Sequence, residues 1–179
     1  MSDDVKRTMD GSVFEGLFVR ELRPTGAFSE DLKRIGFDVT RLEPRYPELV
    51  FLRAVEVAAR HAYPEATLHE AHFFLGSRTI AGYFSTILGR VTATMIPVLG
   101  VASTLKRVTS LWTVAQPAMR ISAERAPEGF IVSFENDALT ADLVAGMLQE
   151  GLRRAERELT CAVLERRPGG GRVLVRAKT

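Results

Sequence analysis

Histidine is the side chain best suited to holding a metal or moving a proton near neutral pH, and this chain has three: His61, His69 and His72. The run His69-Glu70-Ala71-His72 is close to a zinc-peptidase helix motif, but that motif sets its histidines four apart and here they are three apart. His61 could share a metal with them. However, no cysteine or carboxylate cluster supplies the three or four ligands of a metal centre, so no metal site is expected. Cys161 sits in a segment of alternating polarity with no histidine after it, and reads as an inert, buried thiol. There is no Gly-x-Ser-x-Gly elbow and no Walker lysine loop. Gly169, Gly170 and Gly171 lie between two strand-like segments, which makes them a turn and not a phosphate cradle. No residue is assigned a catalytic role, and an enzyme is the least favoured of three readings.

The residues suited to binding lie in one stretch. No Asp or Glu occurs from Ala71 to Ala123, while Arg78, Arg90, Lys106, Arg107 and Arg120 do. Uncompensated cations beside apolar helices could meet an anionic ligand or an acidic partner surface. The plainer reading is that buried helices carry few charges of either sign. Phe73, Phe74, Tyr83, Phe84 and Trp112 could line an apolar cavity or be ordinary core. The candidate ligand or partner site is therefore Arg78, Tyr83, Phe84, Arg90 and Trp112.

These residues need elements to position them. Leu68, Leu75, Phe84, Ile87 and Leu88, then Val91, Met95, Val98, Ala102 and Leu105, give two apolar helices meeting near Gly89, with Thr67 and Glu70 as a capping box at the start. Before them, residues 1–12 read as a frayed tail. Phe14, Leu17 and Phe18 mark a docking helix stopped by Pro24 and Gly26, and Ser29 to Gly36 a short surface helix. Pro44 and Pro47 open a mostly buried helix to His61, with Arg53, Glu56 and Arg60 as its polar strip.

After Trp112 the period changes. Met119, Ile121 and Ala123, then Phe130, Val132 and Phe134, alternate around a Pro127-Glu128-Gly129 turn. Leu139, Leu143, Leu148, Leu152, Ala155 and Leu159 line one face of a helix from about Ala138 to Glu158, which should lie across a sheet. Thr160 to Arg166 and Arg172 to Arg176 complete a second hairpin. The fold class is α+β: one domain over 13–179, a helical bundle at 13–112 followed by a ββαββ antiparallel sheet at 118–177.

At 179 residues and 46% hydrophobic, the chain buries roughly 70% of its unfolded surface and needs no disulfide. Its 24 basic and 22 acidic residues are too balanced to point to nucleic acid. The charged N-terminus is not a secretory signal, and the uncharged run Val91 to Leu105, broken by Pro97 and Gly100, is too short for a membrane span. That run reads as a buried helix, and a cytoplasmic location is expected.

Val13-Phe-Glu-Gly-Leu-Phe-Val-Arg20, Tyr46-Pro47, Tyr63-Pro64, and Gly82-Tyr83-Phe84 through Leu88-Gly89-Arg90 together resemble a paralogous family of uncharacterised myxobacterial domains, over nearly the whole chain. The layout of helices followed by ββαββ also resembles the haem–nitric-oxide-binding (H-NOX) fold, and more distantly the 4-vinyl-reductase-type and TRAPP-subunit domains. In the H-NOX family a histidine before the first hairpin strand holds the iron, and Tyr-x-Ser-x-Arg in the second clamps the propionates. In this chain the corresponding places are taken by Leu111-Trp112 and by Val132, Phe134 and Asn136. Tyr83-Phe-Ser85 is on another element and lacks the arginine. The resemblance therefore implies the fold without histidine-ligated haem, and no cofactor is expected.

The expected function is that of a non-enzymatic signalling or regulatory domain acting through an unidentified protein partner or through self-association. The alternative is a sensor holding a small apolar or amphipathic ligand between the helix pair and the sheet, behind a basic mouth.

Overall fold

The computed structural model describes residues 7–135, 139–155 and 158–176, with the side chains of Ile87 and Leu88 left aside. Asn136 and Ala138, named above, lie outside the described residues, as do residues 156–157 of the expected helix from Ala138 to Glu158.

The ordered chain begins earlier than the frayed tail allows. Strand β1, Thr8–Asp10, pairs antiparallel with β2, Arg45–Pro47, in the register Met9 to Tyr46. Met9 is buried and anchors it. Asp10 then accepts a hydrogen bond from the Ser12 N–H at 2.9 Å, capping α1, Gly11–Phe14, which continues as a π-helix over Glu15–Leu22. Phe14, Leu17 and Phe18 are fully buried as expected. Phe14 gathers Phe37, Tyr46 and Phe51 at ring separations of 5.0, 4.3 and 5.1 Å. Helix α2 covers Gly26–Arg34, and α3 covers Glu48–Ala62. Pro44 does not open α3, because the intervening residues are committed to the β1–β2 ladder and only Pro47 stands at the helix start.

Helix α4, Leu68–Ser85, starts at the expected capping box, with both arms formed between Thr67 and Glu70. It ends at Thr86, whose extended backbone starts α5, Ile87–Ala115, and whose hydroxyl accepts from the Gly89 N–H at 3.1 Å. The break is therefore at Thr86. Gly89 serves the close approach of α5 to the Tyr83 carbonyl, where a Cβ would overlap. A second break, at Gly100 with φ +70°, folds α5 into two halves. No single helix among the described residues is long and apolar enough to cross a membrane.

Strands β3, Arg120–Ala126, and β4, Gly129–Glu135, form the first hairpin; α6, Ala141–Leu152, follows; β5, Thr160–Arg167, and β6, Gly170–Arg176, form the second. The four strands are antiparallel in the order β3-β4-β6-β5, with Val132 opposite Val173 and Val173 opposite Val163. Val132, Phe134, Val173 and Val175 make the buried face, and α6 lies across it. Ten of the twelve residues of α6 are buried, more than one stripe explains. The reason is that α6 is the middle layer, with the sheet on one side and α4 on the other, and a helix covered on both sides is apolar all round.

The expected burial of Val91 to Leu105 is corrected. Ala93, Ile96 and Leu105 are buried, but Val91, Met95, Val98 and Ala102 are exposed, Val98 at 86%. The Gly100 fold-back turns one face of each half toward the other and away from the core.

Candidate functional site

The helical layer encloses a cavity of about 230 Å³. Its walls are Thr79, Ile80, Tyr83 and Phe84 of α4; Thr92, Ile96, Val108, Leu111 and Trp112 of α5; and Met147, Leu148, Gly151 and Leu152 of α6. Met9, Asp10, Ser12 and Val13 close the end near the β1–α1 junction. No residue of β3 to β6 lines it, so the cavity lies among the helices, with α6 between it and the sheet, and not between helices and sheet as the sequence suggested.

Three of the five candidate residues meet here: Tyr83, Phe84 and Trp112. Phe84 is buried, with the Arg154 guanidinium 4.8 Å from its ring centre. Arg78 and Arg90 do not take part. Both are exposed and outside the lining, and Arg78 sits 6.0 Å from the Tyr63 ring on the outer face of α4. The helical period separates them: five residues from Arg78 to Tyr83 is about 1.4 turns, which places them on different faces. The Oη of Tyr83 makes no hydrogen bond among the described residues, and the lining is mainly apolar, with Asp10, Ser12, Thr79, Thr92 and Gln116 as its other polar members. Among the described residues no histidine, cysteine, lysine or arginine is in the lining.

A groove of about 300 Å³ lies between the two halves of α5, formed by Val91, Thr92, Met95, Ile96 and Leu99 on one side and Thr104, Arg107, Val108, Ser110 and Leu111 on the other. Thr92, Ile96, Val108 and Leu111 belong to both spaces. The sequence named none of these four as site residues, because their role depends on a fold-back that only Pro97 and Gly100 announce.

The histidines do not converge. His61 Nε2 is 2.8 Å from Asp31 and its ring stacks on Phe28. His69 Nδ1 donates to Asp142 at 2.8 Å, and His72 Nδ1 shares a 2.8 Å hydrogen bond with the Thr140 hydroxyl at the start of α6. Asp142 also accepts two hydrogen bonds from Arg166 of β5, at 3.0 and 2.6 Å. Burial opposes ionisation of Asp142, but the donors from Arg166 and His69 outweigh it and hold its pKa below the usual value. This cluster ties α4, α6 and the sheet together. Among the described residues no group of three or more potential metal ligands occurs. Cys161 is half-buried in β5, and desolvation pushes its thiol up to about 12, far from a reactive thiolate.

Solved structures of the same layout include an H-NOX family member studied for heme distortion, 14% identical with a TM-score of 0.70 over 96% of each chain. They also include an H-NOX protein from S. oneidensis in its Fe(II)NO state, 11% identical with a TM-score of 0.70, over 96% of this chain and 100% of that one. An oxygen-binding H-NOX domain related to soluble guanylate cyclases is 14% identical with a TM-score of 0.66, over 94% and 93%. At these identities the likeness shows the fold, which is H-NOX-like. No curated protein matches the chain. The model of the family described as "Protein of unknown function (DUF2378)" matches residues 7–174, and the chain belongs to that family.

Proposed function

We propose that this domain is a non-enzymatic regulatory module that holds a small apolar molecule in the cavity among its helices, and that it acts by changing its contacts with a protein partner. The observation that carries this reading is the helical cavity around Tyr83, Phe84 and Trp112. It is concave and apolar, with few polar groups, as small-molecule sites are.

The residues present do not fit haem. Iron is held in proteins by histidine, cysteine, methionine or tyrosine, and propionates are held by cations. Among the described residues the lining has neither histidine nor cysteine, and no lysine or arginine stands at its inner wall to clamp a pair of propionates. Tyr83 and the methionines Met9 and Met147 remain, but a thioether holds haem iron beside a histidine, a neutral phenol is a weak ligand, and among the described residues no histidine lines the cavity. At about 230 Å³ the space is small for a tetrapyrrole, which would have to displace walls contributed by α4, α5 and α6.

Native mass spectrometry of freshly purified protein, with a thermal-shift panel of apolar compounds, tests the proposal. Bound mass or a saturable shift is the expected result. No bound mass and no shift across the panel would refute it.

A second reading, interaction with protein alone, is favoured by the exposed apolar residues of α5: Val91 at 59%, Val98 at 86% and Val114 at 74%. Size-exclusion chromatography of the purified domain, with and without Val98→Asp, separates the readings: assembly that depends on Val98 without any ligand supports the second.

A further inference from the structure

We infer that the ligand is a single-chain anionic amphiphile, its hydrocarbon tail in the inner cavity and its anionic head held by Arg107; this rests on the reading of that cavity as a ligand site.

The first support is continuity. The inner cavity and the outer groove lie back to back on Thr92, Ile96, Val108 and Leu111. Leu111 and Val114 line the cavity while being 45% and 74% exposed, which puts its mouth on the solvent side of the second half of α5. Arg107 is one turn before Leu111, on the same helix face, so their Cβ atoms are about 5–6 Å apart. A chain entering beside Leu111 has its outer end within reach of that guanidinium.

The second support is charge. The Arg107 Nη1 rests 3.5 Å from the Met95 Sδ across the groove, and among the described residues no carboxylate is within ion-pair distance of it. Arg90 and Lys106 are exposed and likewise unpaired. With no acid from Ala71 to Ala123, a cationic or uncharged head would gain nothing at this place, while a carboxylate, sulfate or phosphate would gain charge-assisted hydrogen bonds from a planar donor fork. The same charge disfavours a second copy of this chain as the occupant: a two-fold contact through the groove would bring the cations of two copies together with no acid on that stretch of either to offset them. The thioether of Met95 adapts to varied head groups as a rigid residue would not.

The test is calorimetric titration of the full chain with dodecanoate, dodecyl phosphate and 1-dodecanol, each below its micelle concentration. The expected result is that both anions bind about tenfold or more tighter than the alcohol, the scale of hydrogen bonds to a charged group. Arg107→Gln should bring the anions to the level of the alcohol and leave the alcohol unchanged. Arg107 is exposed, so this substitution spares the fold. Val108→Phe, which narrows the wall common to both spaces, should weaken all three. An alcohol that binds as tightly as the anions, or an Arg107→Gln effect equal on all three, would overturn the inference and leave the apolar cavity reading intact. If none of the three binds and the wider apolar panel also fails, both readings fall together.

Discussion

Gly76 of α4 and Gly146 of α6 face each other across a helix crossing with no room for a side chain on either. A Cβ on Gly76 would overlap the Leu143 carbonyl, and one on Gly146 the Phe73 carbonyl. This contact seats α6 against α4 and thereby fixes the distance between Thr79–Phe84 and Met147–Leu152, two walls of the cavity.

Replacing either glycine by alanine should force the helices apart, at a cost of about 1–3 kcal/mol. Gly151, five residues farther along α6, has only the Ile80 side chain at 3.8 Å, so Gly151→Ala should be neutral or stabilise by up to about 1 kcal/mol. Denaturant midpoints of the three variants check the contrast; equal effects would mean that the crossing is not tight.

Stability should fall in two stages on acidification. Burial is the main cause holding His72 below its ordinary 6.5. The unfolded chain therefore takes up a proton first, and the His72 contribution, complete above about pH 6.5, declines as the pH falls below it. Asp142 is held below 3.8 although burial alone would raise it, so its contribution persists above 3.8 and is lost as the pH falls through the lower folded value. Urea midpoints from about pH 8 to 3 should show both, and His72→Gln should flatten the first decline alone.

Cys161 should react slowly. With its pKa pushed to about 12 by desolvation, the thiolate fraction near neutral pH is negligible. A colorimetric thiol reagent should label the unfolded chain rapidly and the folded chain orders of magnitude more slowly; equal rates would contradict the burial.

Protein produced in cells supplied with haem should show no Soret band, since among the described residues the cavity lining contains no histidine or cysteine ligand. A stoichiometric Soret band would end the haem-free reading.

Much of the layout is legible in the residues themselves. The Thr67–Glu70 capping box, the Pro127–Gly129 turn and the alternation of Phe130, Val132 and Phe134 each depend on neighbours a few positions away, and the structure has all three. What could not be read depends on distant segments. Met9 gains its burial from Tyr46, thirty-seven positions along the chain, and α6 is apolar on every side because α4 covers the face away from the sheet. Periodicity identifies apolar positions but not which neighbour covers them, so Val91, Met95 and Val98 read as core although the Gly100 fold-back leaves them exposed. Of the site, the aromatics Tyr83, Phe84 and Trp112 were legible. Arg107 was legible only as one cation among five until the groove set it across from Met95.

The chain's single tryptophan, Trp112, lines the cavity, so its emission reports directly on occupancy. Titrating the protein with 1-dodecanol while following Trp112 fluorescence should give a saturable change in the native chain and a much weaker one in Val108→Phe. An emission that does not move, or that moves equally in both proteins, would contradict a ligand in the cavity.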